Sequence, residues 1–385
     1  MEVGIDIRLL ARGTRTGVEE YTINLISHLV TLAPHIHFKF FYNALRKVEL
    51  QYPWKNSPHV EIREFAFPNR FFDVMLGRFS FPKIDTLLGG CDVFLSPHFF
   101  ITPVSKRCPK IVVFHDLSFE YHPNFFSFSK RLWHEWVNPR KAAREATTII
   151  AVSESTKADL IHLYHVEPEK IHVVYPAVGE HFRHFAVNDE SRRVQKIYKL
   201  PDKFILYFGT IEPRKNIIGV IKAFELFKES SRHASPYALV IAGSRGWLWK
   251  DILRGARDSK YAKDIIFTGF VEEHDKPHLY NLADIFVYPS FFEGFGFPPL
   301  EAMACGVPTI VSHVSSLPEV VGGGAITVNP YIYGEIAGAL HLLLDDQRLY
   351  HLYRDRGIRE ARKFSWENSA KRVLDLIVKA GEYGG

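Results

Sequence analysis

The sequence predicts an α/β protein made of two doubly wound domains. Three observations carry that expectation. At 385 residues the chain is too long for one ordinary core and suits two domains of about 150–200 residues each. Short β-branched or aromatic runs alternate with segments of helical length and period, the rhythm of a parallel sheet covered on both faces. The rhythm comes as two series separated by a polar stretch over 179–203, which lacks a strand signal.

The first series contains the strand runs "VGIDIRLL", "HFKFFY", "DVFLSP", "KIVVFHD", "TTIIAVS" and "KIHVVYP". Helical segments over 18–32, 127–146 and 154–164 fall between several of them. The break carries "NDESRRVQK", with a short helix expected near 190–198. The second series contains "FILYFGT", "YALVIAGS", "DIIFTGF", "DIFVYPS", "PTIVS" and "AITVNP". After Pro330 the pattern is helical, over 333–344, 347–362 and 366–380, and Ser365 suits the N-cap of the last. The expected domains are residues 1–180 and 203–365.

Composition narrows the function classes. The hydrophobic fraction of 46% and charged fraction of 24% suit a soluble globular protein, and no run is long enough to span a membrane. The N-terminus lacks the basic region of a signal peptide. Cys91, Cys108 and Cys305 are an odd number without metal-like spacing, so a reducing, cytoplasmic setting with no disulfide framework is expected. The net charge of +5 is spread over both halves rather than clustered, which argues against a nucleic-acid partner. His274 and His278 have the spacing of a metal pair, but Pro277 and the lack of a third ligand favour a solvated helix start.

Ligands of doubly wound sheets sit at the carboxyl ends of strands, so the loops after strands are where chemistry is sought. In "RLLARGTRTGVEEYT", Gly13 and Gly17 flank a polar loop before a helix, where backbone N–H groups can meet an anion. In "VVFHDLSF", His115 and Asp116 follow an apolar strand. They read either as a capped histidine or as a hydrogen-bond donor facing a ligand. In "YFGTIEPRKNI", Arg214 and Lys215 follow the first strand of the second series, where a phosphate site belongs. The fourth loop is "SFFEGFGFPPLEAMACG". Glu293 lies in it, Gly294 and Gly296 permit close backbone approach, and Pro298 and Pro299 suit a first helical turn that also holds Glu301. Carboxylates accept pairs of hydrogen bonds from vicinal hydroxyls, while amides and a helix end face phosphate, so the bend suits a nucleotide sugar.

These residues resemble glycosyltransferase family 4. Glu293 and Glu301 match its E-x7-E motif. "TGVEEYTINL", "FHDLSFEYHP", "VSESTKADL", "FGTIEPRKN", "VIAGSRGW", "FTGFV" and "LPEVVGGGAITVNP" stand as its landmarks in the expected order, over nearly the whole chain. The resemblance implies the GT-B fold: two Rossmann-like domains facing across a cleft, an acceptor-binding N-terminal one and a donor-binding C-terminal one. It also implies a final helix, 366–385, that crosses back onto the N-terminal domain. By the same resemblance Lys215 with Arg214 neutralises the donor diphosphate, Glu301 binds the ribose, and Glu293 binds the transferred sugar. Backbone over Gly294, Phe295, Gly296 and Phe297 meets the sugar and phosphates, and Val271 marks the nucleobase. Gly17 approaches the diphosphate, and His115 the sugar at the reaction centre. One departure stands out: many relatives carry a second cationic ligand where this chain has Thr210.

The expected reaction is hexosyl transfer from a nucleotide diphosphate sugar to an acceptor hydroxyl with retained configuration, catalysed by Lys215, Glu293 and His115. No cofactor or metal is expected, since no D-x-D occurs and cations stand in for it. The style is that of bacterial polysaccharide and O-antigen mannosyltransferases, which makes GDP-mannose the first donor and a saccharide or polyprenyl-linked saccharide the acceptor. "NRFFDVMLGRFSFPK" and "HPNFFSFSKRLWHEW" mix aromatics with cations, which suits core packing, an acceptor groove or a peripheral membrane contact. A sugar-nucleotide epimerase, a free-sugar synthase of the same fold and a non-catalytic nucleotide-sugar binding module remain as rivals.

Overall fold

The structure is a computed structural model and describes residues 1–12, 16–45, 52–230 and 236–382. Gly13, one of the two loop glycines above, lies outside them. The chain forms two compact units. The first comprises Met1–Phe119, Phe128–Pro176 and Ser365–Gly385; the second comprises Glu120–Ser127 and Ala177–Phe364.

The first unit holds a seven-stranded parallel sheet. Its strands are β1 (Glu2–Asp6), β2 (His37–Asn43), β3 (Val60–Phe65), β4 (Val93–Ser96), β5 (Lys110–Phe114), β6 (Thr148–Ala151) and β7 (Ile171–Val173), in the order β3-β2-β1-β4-β5-β6-β7. The central strands are buried along nearly their whole length, as a sheet covered on both faces requires. β3 was not apparent from sequence: "VEIREF" alternates apolar and charged residues, and it is the half-exposed edge. The helix expected over 127–146 is two helices, Phe128–Val137 and Pro139–Glu145. Asn138 sits between them at φ +52° and caps the second, and Pro139 cannot continue the first.

The last helix, Trp366–Glu382, belongs to this unit. It packs on helix Gly17–Leu32, with Trp366 buried against Tyr21 at 5.6 Å between ring centroids. The hydroxyl of Ser369 donates to the Tyr175 carbonyl.

The second unit holds a six-stranded parallel sheet: β8 (Phe204–Phe208), β9 (Ala238–Ala242), β10 (Ile265–Gly269), β11 (Ile285–Tyr288), β12 (Thr309–Ser312) and β13 (Ile326–Val328), ordered β10-β9-β8-β11-β12-β13. The order reverses between β8 and β11, so the loops after those two strands leave the sheet side by side. The stretch read as a break packs within this unit. Helix Asp189–Ile197 lies on helix Lys276–Leu282, with Ser191 against His278, and His184 contacts the Cys305 carbonyl. Among the described residues no helix is long and apolar enough to cross a membrane.

Candidate active site

The loops after β8 and β11 carry Arg214, Lys215, Glu293 and the residues leading to Glu301, and they meet at the carboxyl edge of the second unit's sheet. Helix Ile217–Ser230 begins just after Arg214 and Lys215, and the Glu293 loop runs into helix Phe297–Ala304. Lys215 is buried and donates from Nζ to Glu293 Oε1 at 2.7 Å and to the Tyr288 hydroxyl at 2.5 Å. Arg214 donates from one terminal nitrogen to Glu293 Oε2 at 3.0 Å and to the Phe292 carbonyl at 2.6 Å, and from Nε to Glu212 at 3.1 Å. Ser290 Oγ donates to Glu293 Oε1 at 2.6 Å. Two cations and two carboxylates thus form one closed network.

The network sets protonation. Burial raises the Glu293 carboxyl, but the charges of Arg214 and Lys215 and the hydrogen bonds from Lys215 and Ser290 overcome it and hold the group at about 2. Glu293 is therefore an anion at neutral pH. Burial, together with the Arg214 charge, pulls Lys215 below the ordinary lysine range, and Glu293 offsets only part of this. Burial and the nearby Glu293 push the Tyr288 hydroxyl well up, so it remains a neutral donor.

Sequence reasoning missed the partners that hold these groups. Glu212, Tyr288, Ser290, Ser315 and Ser316 form the frame: Ser315 Oγ accepts from the Glu293 backbone N–H at 2.9 Å, and Ser316 Oγ donates to the carbonyls of Glu293 and Phe295 at 2.9 and 3.0 Å. A serine pair after a strand carries little signal by itself. Glu212, two residues before Arg214, was the readable one, because an acid beside a buried cation pair is a natural counter-charge.

Glu301 departs from its expected place. The helix begins at Phe297, so Glu301 is its fifth residue, in the second turn rather than the first. The helix dipole accordingly does not explain it. Its buried carboxylate instead accepts from the Tyr280 hydroxyl at 2.7 Å. Gly296 precedes the helix at φ +106°, and a Cβ there would lie 2.7 Å from Leu317 Cδ2, so the bend needs glycine twice over. Gly294 and Phe295 share this loop, and Phe295 is buried with its ring 5.4 Å from Phe297. Val271 follows the edge strand β10 with its side chain buried. The Thr210 methyl fills the space beside Gly246, where a Cβ would sit 2.7 Å away.

The remaining two candidates belong to the first unit. Gly17 opens helix Gly17–Leu32 behind a capping box of Thr16 and Glu19. His115 follows β5 and is half-buried, with Nε2 2.8 Å from the Pro97 carbonyl. That contact makes Nε2 the protonated nitrogen and leaves Nδ1 as an acceptor. Burial pulls the imidazole down to about 4 despite the Pro97 bond and the Asp116 charge, so it is neutral. Asp116 does not cap the histidine; it accepts from the backbone and hydroxyl of Ser118 and starts the following turn.

Comparisons with known proteins identify the family and the fold. Residues 188–364 match the model of glycosyl transferases group 1, and residues 15–181 match glycosyltransferase family 4. An Escherichia coli protein, O-antigen chain mannosyltransferase B, is 30% identical over 377 residues, 94% of this chain and 95% of that one. The chain belongs to glycosyltransferase family 4. A second relative of this glycosyltransferase, the E. coli serotype-specific mannosyltransferase WbdA, is 34% identical over 257 residues, 66% of this chain and 30% of that longer protein. Among solved structures, Anabaena HepE in complex with UDP and glucose superimposes with a TM-score of 0.75 at 16% identity, covering 98% and 99% of the two chains. WaaG, a glycosyltransferase involved in lipopolysaccharide biosynthesis, gives 0.73 at 14%, also covering 98% and 99%. These likenesses place the two sheets in the GT-B fold.

Proposed function

We propose that this glycosyltransferase moves a mannosyl group from GDP-mannose to a saccharide, free or carried on a polyprenyl diphosphate, in the assembly of an O-antigen-type polysaccharide. The observation that carries the reading is the meeting of Lys215, Arg214 and Glu293 at the switch point of the second unit's sheet. The full-length likeness to a mannosyltransferase supports the choice of sugar.

In this reading Glu293, fixed as an anion, uses the acceptor position left on Oε2 beside Arg214 for a hydroxyl of the transferred sugar. Glu301, held by Tyr280, accepts from the ribose. Lys215, with three donors and two protein acceptors, keeps one N–H for the diphosphate and stabilises the charge that develops as the glycosidic bond breaks. Arg214 is the less direct contributor. It spends at least three donors on Glu212, Phe292 and Glu293 and first of all braces the loop. Both Glu293 oxygens accept from cations, so it is poorly placed to attack as a nucleophile, and transfer with the retained configuration that the family resemblance implies would then proceed on the front face of the sugar. These two cations take the part that a divalent metal plays elsewhere. His115 would contribute Nδ1 as an acceptor for a sugar hydroxyl, and Gly17 and Val271 would contribute backbone.

A peripheral membrane contact is part of the same proposal. Phe71, Phe79 and Phe81 are exposed at helix Asn69–Phe79 and just beyond it, and Phe128, Leu132 and Trp136 recur at i, i+4 and i+8 along helix Phe128–Val137. Trp136 packs against Gly77, which joins the two sets, and Arg131 sits over the Phe128 ring at 5.8 Å. The expected outcome is sedimentation with anionic but not zwitterionic vesicles. Failure to bind either removes the membrane from the proposal.

The deciding experiment is nucleoside-diphosphate release over GDP-mannose, UDP-glucose, UDP-GlcNAc, UDP-galactose and ADP-glucose, with and without saccharide acceptors. Acceptor-stimulated release of GDP that Glu293→Ala abolishes is expected. Donor conversion without any acceptor would point to an epimerase, and binding without turnover to a non-catalytic module.

A further inference from the structure

The donor unit is not a continuous stretch of chain. Residues 120–127, "EYHPNFFS", come from the midst of the first unit's sequence but pack with the second. They lie on the residues that lead into Glu293. Tyr121 and His122 meet Phe292 at ring distances of 5.6 and 6.0 Å, and Phe125 stacks on Phe291 at 5.6 Å. Phe126 stacks on Trp247 at 5.6 Å, and the Trp247 indole N–H donates to the Phe125 carbonyl. Phe292 is the residue whose carbonyl Arg214 holds. The segment is therefore a strap across the Arg214–Glu293 network.

His122 is the polar group that the strap brings there. It is half-buried, stacked on Phe125 at 4.9 Å, and neither ring nitrogen has a hydrogen-bond partner among the described residues. Burial, and then the nearby Arg214 charge, push its imidazole below the ordinary value, so at neutral pH it is an uncharged ring with one N–H to give. A partly desolvated imidazole N–H held near the Arg214 guanidinium is well served by an anionic oxygen that both can share.

We propose that residues 120–127 complete the donor site and that His122 is a further substrate-contacting residue, donating a ring N–H to the distal phosphate of the nucleoside diphosphate beside Arg214. The distal phosphate is the one that carries the sugar, and Glu293, the sugar's assigned partner, is bonded to Arg214. The inference rests on the nucleotide-sugar reading above.

Calorimetric titration of the 385-residue chain with GDP and with GMP, which lacks the distal phosphate, tests it. His122→Ala is expected to weaken GDP binding about tenfold and leave GMP binding unchanged. His122→Gln, which keeps an N–H donor, should stay within about threefold of the wild type for GDP. Equal GDP affinity in wild type and His122→Ala overturns the assignment, as does a parallel loss of GDP and GMP, which would mean the ring only packs. If the wild type binds none of GDP, UDP or ADP, the nucleotide-sugar reading itself fails and takes this inference with it. Wild-type binding that His122→Ala leaves intact sinks the strap's role alone.

Discussion

Glu293 is the residue on which the electrostatics of the Arg214–Lys215 network turn, and its titration gives a direct test. A carboxyl held at about 2 against an ordinary 4.5 contributes stability that is fully present above about pH 5 and is lost as pH falls toward 2. In Glu293→Gln the amide leaves the two cations with Glu212 as their remaining carboxylate at every pH. Denaturation midpoints of the two proteins should differ most at neutral pH and converge as the pH is lowered; a gap that stays constant would contradict the ion-pair account. Tyr280→Phe removes one hydrogen bond to Glu301, worth about 1.5–3 kcal/mol for a charged acceptor, so donor binding should weaken roughly 10- to 150-fold with little change in sugar preference. Lys215, Glu293 and Glu301 were legible in the sequence because strand, loop and helix signals located them. His122 was not: a lone histidine in "EYHP" has no informative spacing, and its place is set by rings far along the chain.

At the scale of elements, the bend before helix Phe297–Ala304 is where local geometry and function coincide. Gly296→Ala forces a side chain into φ +106° and against Leu317, and a cost of about 2–4 kcal/mol is expected from strain and overpacking together. Thermal denaturation should show a lowered midpoint, and GDP affinity should fall because the Glu293 and Glu301 ends of the bend move apart. Unchanged affinity in a folded variant would mean that the bend is not part of the site. The buried strands were legible because parallel sheets demand continuous apolar runs, as in "FILYF" and "KIVVF". β3 escaped because an edge strand tolerates charge on alternate residues. The start of helix Phe297–Ala304 was placed too late because two prolines mark a first turn without saying which residue opens it.

Over the whole molecule, both units are assembled from discontinuous stretches, and the last helix is structural for the first. Trp366→Ala should cost about 3–5 kcal/mol by emptying the space beside Tyr21 and His28. Chemical denaturation should show this as an earlier transition of the first unit, with GDP binding by the second retained until its own transition. Loss of GDP binding in step with the first transition would show that the units unfold as one. The family resemblance made the returning helix legible; 120–127 stood out only as part of a longer aromatic and cationic stretch, read as core packing, an acceptor groove or a membrane contact, and nothing in it pointed to the second unit. The strap bears on how such enzymes can be recombined. The two family matches abut between residues 181 and 188, the natural place to join halves of two parents. A hybrid cut there inherits Phe291, Phe292 and Trp247 from one parent and the rings that cover them from the other. If the strap completes the site as proposed, donor binding is not a trait of the C-terminal half alone, and grafting it between relatives requires the eight residues from the N-terminal half to travel with it.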